Sequence, residues 1–230
     1  MPKDEAALTR AAAVSRRWVG GDDRDSRAAE ADYDGLAHDY DGLVACWGYQ
    51  GAGRVAELVL RHAPPSARVL DAGCGTGLLG AELSARGFAD LTGLDVSGRS
   101  LHQARARGVY RELLRGDLQA PLPFPAGSFG AAGCAGVLTY VDELPVLAEL
   151  RRVLSPGGVL VFSHREDLVR RRGLDEHFAA LEAAGAWTCL ERSGPEPYMP
   201  GHPDYAGHIR VIYYAYRAGA PSADREGAAR

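Results

Sequence analysis

The sequence predicts an α/β domain built on a mainly parallel sheet with helices on both faces. Three observations carry this. From residue 68 to 163, short apolar runs alternate with helical periodicity, giving successive strand–helix units. The first run, Arg68 to Ala72, feeds straight into Gly73-Cys74-Gly75-Thr76-Gly77 and then a helical pattern, the entry of a βα unit. The last two apolar runs are joined by a loop alone, so they pair antiparallel, because parallel neighbours need a crossover. A chain of 230 residues holds one such domain with added elements.

Residues 1–32 are rich in Ala, Arg and Asp, broken at Gly20 to Asp23. A short helix over Glu5 to Trp18 fits, and the segment reads as a partly mobile arm. The domain proper is expected over 33–217. Tyr33, Ala37 and Tyr40 share a helical face, and Trp47 and Tyr49 follow. Gly51 to Ala63 is a helix with Val55, Leu58, Val59 and His62 at helical spacing, ended by Pro64-Pro65. Strand one is Arg68 to Ala72. Thr76 to Arg86 is a helix turning Leu78, Leu79 and Leu83 inward, stopped by Gly87. Strand two is Leu91 to Val96, followed by a helix over Arg99 to Arg107. Strand three is Val109 to Arg115, and a link with Pro121, Pro123 and Pro125 leads to strand four, Phe129 to Ala135. A helix over Asp142 to Leu154 turns at Gly157-Gly158 into strand five, Val159 to Ser163. A further helix, Leu174 to Ala184, precedes strand six, Trp187 to Glu191. Strand seven is Ile209 to Tyr216, and residues 218–230 read as a disordered tail.

Composition excludes several classes. A net charge of −4 argues against a nucleic-acid surface. No apolar run reaches membrane-spanning length, so no membrane association is expected. The N-terminal residues lack the apolar stretch of a signal peptide. Cys46, Cys74, Cys134 and Cys189 have no Cys-x-x-Cys spacing and read as reduced thiols of a cytoplasmic protein. The seven histidines show no zinc spacing, so no metal is expected.

The glycine turn places small residues and a helix N-terminus after a strand, a seat for a carboxylate or phosphate. Asp95 ends the second strand, roughly 20 residues beyond the turn, where a carboxylate can accept both hydroxyls of a ribose. Asp117 follows the third strand beside Leu118, a pair able to take the exocyclic amine and the ring of an adenine. Ala135 and Gly136 close the fourth strand, where backbone carbonyls face the same crevice. All lie at strand carboxyl ends, where open α/β sheets bind ligands. Gly73-x-Gly75-x-Gly77 departs from the dinucleotide spacing, and no Walker lysine follows.

Val-Leu-Asp-Ala-Gly-Cys-Gly-Thr-Gly, Gly-Leu-Asp-Val-Ser, Gly-Asp-Leu, Pro-Phe-Pro-Ala-Gly-Ser-Phe and Leu-Arg-Arg-Val-Leu-Ser-Pro-Gly-Gly together resemble the ordered motifs of class I S-adenosylmethionine-dependent methyltransferases. Tyr-Asp-x-x-Ala-x-x-Tyr-Asp, Gly-Val-Tyr and Leu-Glu-Ala-Ala-Gly-Ala-Trp narrow the resemblance to a methyltransferase-like subgroup. The resemblance implies a Rossmann-like seven-stranded sheet, order 3-2-1-4-5-7-6 with strand 7 antiparallel. It implies S-adenosyl-L-methionine as cofactor and S-adenosyl-L-homocysteine as product. Gly73, Cys74, Gly75 and Gly77 would line the methionine part, and Asp71 would brace the turn and face its amine. Asp95 would hold the ribose, and Val96 would touch the adenine that Asp117 and Leu118 recognise. Ala135 or Gly136 would offer a carbonyl, and Tyr33 and Tyr40 would come from a lid helix. The acid usual after Ser-Phe is Gly130 here, which predicts a local structural difference.

For the acceptor, His164 follows strand five and is the candidate base. Trp47, Tyr140, Tyr198, His202 and Tyr205 are the candidate acceptor contacts, most of them in a long loop, Ser193 to His208, that also holds Met199. The expected reaction is in-line methyl transfer to a small-molecule nucleophile. The alternatives are a protein that holds the cofactor without transfer, or an enzyme of another reaction using it as a structural cation.

Overall fold

The computed structural model describes residues 24–205 and 208–219. The expected helix over Glu5 to Trp18 and the tail beyond 219 lie outside the described residues. Three helices come first: α1 (Ser26–Leu36), α2 (Tyr40–Cys46) and α3 (Gly51–His62). Then follow β1 (Val69–Ala72), α4 (Leu78–Ala85), β2 (Leu91–Asp95), α5 (Gly98–Ala106), β3 (Glu112–Arg115) and β4 (Phe129–Cys134). A 3-10 turn (Leu138–Tyr140) leads to α6 (Glu143–Val153), β5 (Leu154–Arg165), α7 (Glu166–Arg171) and α8 (Leu174–Ala183). The chain ends with β6 (Trp187–Arg192), a two-residue β7 (Glu196–Pro197) and β8 (Arg210–Ala218).

The sheet order is β3-β2-β1-β4-β5-β8-β6, with β7 on β8 outside this path. β1 to β5 pair in parallel, whereas β8 runs antiparallel to both β5 and β6. This is the expected seven-strand order, with β8 in the place of the seventh strand.

Strand alternation builds two cores. Leu70, Ala132, Leu160, Phe162 and Tyr214 face α6 and α8, with Leu147, Leu150 and Phe178 packed on them. Val69, Ala131, Val159, Val161 and Tyr213 face the opposite side, where Val55 and Val59 of α3 and Leu79 and Leu83 of α4 close the layer. Burial on both faces is what made these strands read as unbroken apolar runs.

Several boundaries differ from the sequence reading. Residues 26–32 belong to α1, which Asp25 caps by accepting the Arg27 amide, so the ordered body starts before Tyr33. Ala218 belongs to β8, not to a tail. β3 begins at Glu112 because Tyr110 leaves the sheet to reach Asp71. β5 begins early, at Leu154, with a register shift against β4 between Phe129 and Ala131. Gly130 sits at that irregularity, where a Cβ would come within 3.2 Å of Ala67 Cβ. The short α7 and β7 were not anticipated. Among the described residues no helix is long and apolar enough to cross a membrane.

Candidate active site

A cavity opens at the carboxyl ends of β1, β2, β3 and β4, with about 950 Å³ of empty space counting its mouth to solvent. The described residues bring twelve of the thirteen expected cofactor residues to its lining. The exception is Gly77. It caps α4 at φ +89°, and a Cβ there would meet Arg107 Cδ at 2.9 Å. Its glycine is required by helix packing.

The turn is shaped by what crosses it. Gly73 has φ +74°, and a Cβ would come within 2.5 Å of Val137 Cγ2. Above Gly75, at φ +52°, there is open space. The Gly75 amide donates to Asp95 Oδ2 at 2.8 Å, and the Ser97 amide donates to Asp95 Oδ1 at 2.8 Å. Each Asp95 oxygen keeps a further lone pair. Burial raises this carboxyl, and the two amides offset part of the effect.

Asp71 is almost fully buried and accepts the Tyr110 hydroxyl at 2.6 Å. Burial pushes its carboxyl up to about 7, against the lowering pull of that hydrogen bond. Tyr110 was not singled out from the sequence as a site residue. Its ring lies where Cβ atoms on Gly77, Gly80 and Gly93 would clash. Those glycines in separate elements are the signal that a large side chain passes there. Asp117 accepts the Gln119 amide at 2.8 Å through one oxygen, and it lines the cavity beside Leu118.

The roof consists of α1 and α2. Ser26, Ala29 and Tyr33 of α1 line the cavity at helical spacing. Tyr33 and Tyr40 sit on two separate helices, their rings 5.9 Å apart and edge-on. The roof is tied to the glycine turn through Asp41. It accepts Thr76 Oγ1 at 2.6 Å and pairs with Arg107, whose Nε donates to the Thr76 carbonyl at 2.6 Å. On the ribose side, Asp34 accepts Ser97 Oγ at 2.5 Å, and Glu30 pairs with Arg115.

The acceptor expectations divide. Tyr140 lines the cavity, and the Tyr198 hydroxyl comes within 3.0 Å of a Cβ position on Gly136. Tyr205 stands behind Tyr198, with ring centroids 5.9 Å apart. Trp47 and His202 are not in the lining. They pack together at 4.3 Å and join the roof to the loop before β8.

His164 is not at the crevice rim. Alternation along β5 puts Ser163 on the cavity side, where its Oγ accepts the Gly136 amide at 2.9 Å. His164 therefore faces α6, is 1% exposed, and places Nε2 3.1 Å from Glu143 Oε1. Its Nδ1 lies 3.2 Å from the Arg165 carbonyl. Glu143 also pairs with Arg172, which donates to the Thr139 carbonyl at 3.3 Å. Burial alone would push the Glu143 carboxyl up; the His164 hydrogen bond and Arg172 charge outweigh it, leaving it below the usual range. The His164 side chain thus buttresses the turn carrying Tyr140. His164→Ala is expected to cost about 1–3 kcal/mol of stability, read by denaturant unfolding. It leaves any pH–rate profile for methyl transfer unshifted, and a lost ionisation near neutral pH would refute this.

A family model described as a methyltransferase domain matches residues 70–162. Human Methyltransferase-like protein 27 is 41% identical over 168 residues, 69% of this chain and 67% of that protein. The chain belongs to the class I S-adenosylmethionine-dependent methyltransferases. The likeness to the human protein agrees with the narrower resemblance read from the motifs. Malonyl-[acyl-carrier protein] O-methyltransferase of Erwinia pyrifoliae is 37% identical over 142 residues, 60% of this chain but only 50% of that enzyme. Among solved structures, the [4+2]-cyclase SpnF has a TM-score of 0.66 at 19% identity, covering 86% of this chain and 98% of that one. At such identity the likeness shows the fold alone. The methyltransferase assignment fixes S-adenosylmethionine as the cofactor.

Proposed function

We propose that this methyltransferase moves the methyl group of S-adenosylmethionine to a small-molecule nucleophile at the Gly136 end of the cavity. The carrying observation is one roofed cavity in which Asp71, Asp95 and Asp117 line three successive strand ends. When bound, the cofactor supplies a methyl group activated by a sulfonium sulfur. The open space above Gly75 accepts the methionine part close to backbone. Asp71 faces its amine, the spare lone pairs of Asp95 take the ribose hydroxyls, and Asp117 with Leu118 takes the adenine. Val96 packs on the base, and the Ser163 hydroxyl holds the Gly136 amide in place.

The protein's contribution is to align the two reactants and exclude water. A roof held by Asp41 and Asp34 favours acceptors small enough to fit beneath it. Four unpaired cysteines fit a reducing, cytoplasmic setting.

The test is incubation with methyl-labelled cofactor and a metabolite extract. Label is expected in the low-molecular-weight fraction. Label confined to protein or nucleic acid would overturn the small-molecule reading. Binding of the cofactor with no transfer to any fraction would overturn methyl transfer itself.

A further inference from the structure

Beyond Gly136 the cavity is built of tyrosine. Tyr33 from α1, Tyr40 from α2, Tyr49 from the loop before α3 and Tyr140 from the 3-10 turn all line it. Tyr198 and Tyr205, from the loop between β7 and β8, back them. Tyr198 packs edge-on against Tyr49 at 5.8 Å and 87°. Five chain segments thus converge on one spot with the same side chain. The phenols feel one another: burial and then the neighbouring tyrosines raise Tyr33, Tyr49, Tyr140 and Tyr198 well above the usual range. They are neutral hydroxyls and cannot act as bases near pH 7.

Among the described residues the lining contains no lysine, arginine or histidine. Its carboxylates are engaged in the cofactor half. Asp71 is held by Tyr110, Asp95 by the Gly75 and Ser97 amides, and Asp117 by the Gln119 amide. Among the described residues, the cation whose charge reaches Tyr140 and Tyr198 is Arg165. It lies over the Tyr205 ring at 5.8 Å, outside the lining, and its Nη2 pairs with Asp167 Oδ2 at 2.6 Å.

We propose that the acceptor is an amine, methylated on nitrogen inside this tyrosine cage; the proposal rests on the methyl-transfer reading above. Two arguments select it. An alcohol or phenol must lose its proton to attack, and the lining offers no base at that end. An amine is in ready exchange with water near neutral pH, so it gives its proton to solvent before entering the cage and arrives as the free base with its lone pair available. Secondly, in N-methylation the positive charge moves from sulfur to nitrogen and is never quenched. Aromatic faces stabilise a cation along that whole path. A carboxylate or phosphate acceptor would instead meet tyrosine side chains, three acids and, among the described residues, no lining cation.

The step balances. The nitrogen lone pair forms the new N–CH3 bond while the C–S pair returns to sulfur, leaving a neutral thioether. A tertiary amine becomes a quaternary ammonium. A primary or secondary amine becomes an ammonium that yields its proton to water on release.

The experiment first titrates wild-type protein with S-adenosylhomocysteine by calorimetry. Failure there removes the cofactor reading, not the cage. The loaded protein is then titrated with choline, with its uncharged isostere 3,3-dimethylbutan-1-ol, and with phenylacetate. Choline is expected to bind at least about tenfold tighter than either. Equal or weaker binding of choline overturns the proposal. Tyr140→Phe should keep the preference and Tyr140→Leu should lose about tenfold in choline affinity, with S-adenosylhomocysteine affinity unchanged in both. Labelled cofactor supplied with dimethylaminoethanol, p-cresol and phenylacetate completes the test. Label on the amine supports N-methylation. Label on p-cresol or phenylacetate in preference to the amine overturns it.

Discussion

Asp95→Ala abolishes useful cofactor binding: the affinity for S-adenosylhomocysteine, read by calorimetry, falls by at least about a hundredfold. The carboxylate joins two jobs in one group. Its oxygens accept the Gly75 and Ser97 amides, each at 2.8 Å, and so hold the glycine turn against the start of α5. Asp95 lines the cavity, where its remaining lone pairs are the proposed acceptors of two ribose hydroxyls. Hydrogen bonds to a charged group contribute about 1.5–3 kcal/mol each, so losing two accounts for that fold-change and more. Alanine also leaves both amides unpaired, which adds a stability cost of about 1–3 kcal/mol apiece. Asp95→Asn separates these effects. It keeps one acceptor and one amide contact but loses the charge, and is expected to bind with intermediate affinity. A melting curve on the unliganded variants distinguishes lost binding from lost fold. Retention of full affinity in Asp95→Ala would remove this residue from the cofactor site.

Cofactor binding near pH 7 is expected to release a fraction of a proton from Asp71, if that carboxyl faces the cofactor's amine as proposed. Burial lifts this carboxyl to about 7, so it is near half-protonated there when the site is empty. An ammonium placed beside it favours the charged form and drives the remaining proton off. The enthalpy of binding measured in buffers of different ionisation heat reads the proton count directly. Asp71→Asn should abolish it. The same shift fixes a stability trend. The unfolded chain loses this proton near the ordinary value of 3.8, whereas the folded protein keeps it to about 7. Between those limits the folded state binds more protons, so stability falls as pH rises, by up to about 1.4 kcal/mol per unit, and levels off above the folded value. Asp95, also raised by burial, tilts stability in the same direction. The part due to Asp71 is therefore the part that Asp71→Asn removes from the pH series. An unchanged slope in that variant would place the proton elsewhere.

The positions of Asp71, Asp95 and Asp117 were legible because each lies at or just past the carboxyl end of a strand, at a spacing imposed by the βα unit. Backbone geometry fixes where such residues emerge, whatever packs around them. His164 was misplaced for a related reason. It does stand at the carboxyl end of β5, but sequence position says nothing about strand parity when both faces are buried. Parity is set by the partner layers: Val159 and Val161 pack toward α3, so Ser163 faces the cavity and His164 faces Glu143. Trp47 and His202 lie outside the lining because aromatic residues at helix ends and in loops serve docking as readily as binding. Tyr110 was not legible because its role depends on Gly77 at the cap of α4, Gly80 within it and Gly93 of β2 leaving a common slot.

The sequence by itself determined the fold, the family and the cofactor. Alternating apolar periods dictate strands and helices locally, and the glycine turn with its downstream acids is a short-range signal. Only the tertiary structure decided which groups meet at the far end of the cavity. Tyr33, Tyr40, Tyr49 and Tyr140 span more than a hundred residues of chain, and nothing local in any of them marks a site. They converge because α1 and α2 fold back over the sheet, held there through Asp34 and Asp41. Contacts between distant segments depend on how whole layers pack, and that is information no single stretch of chain contains.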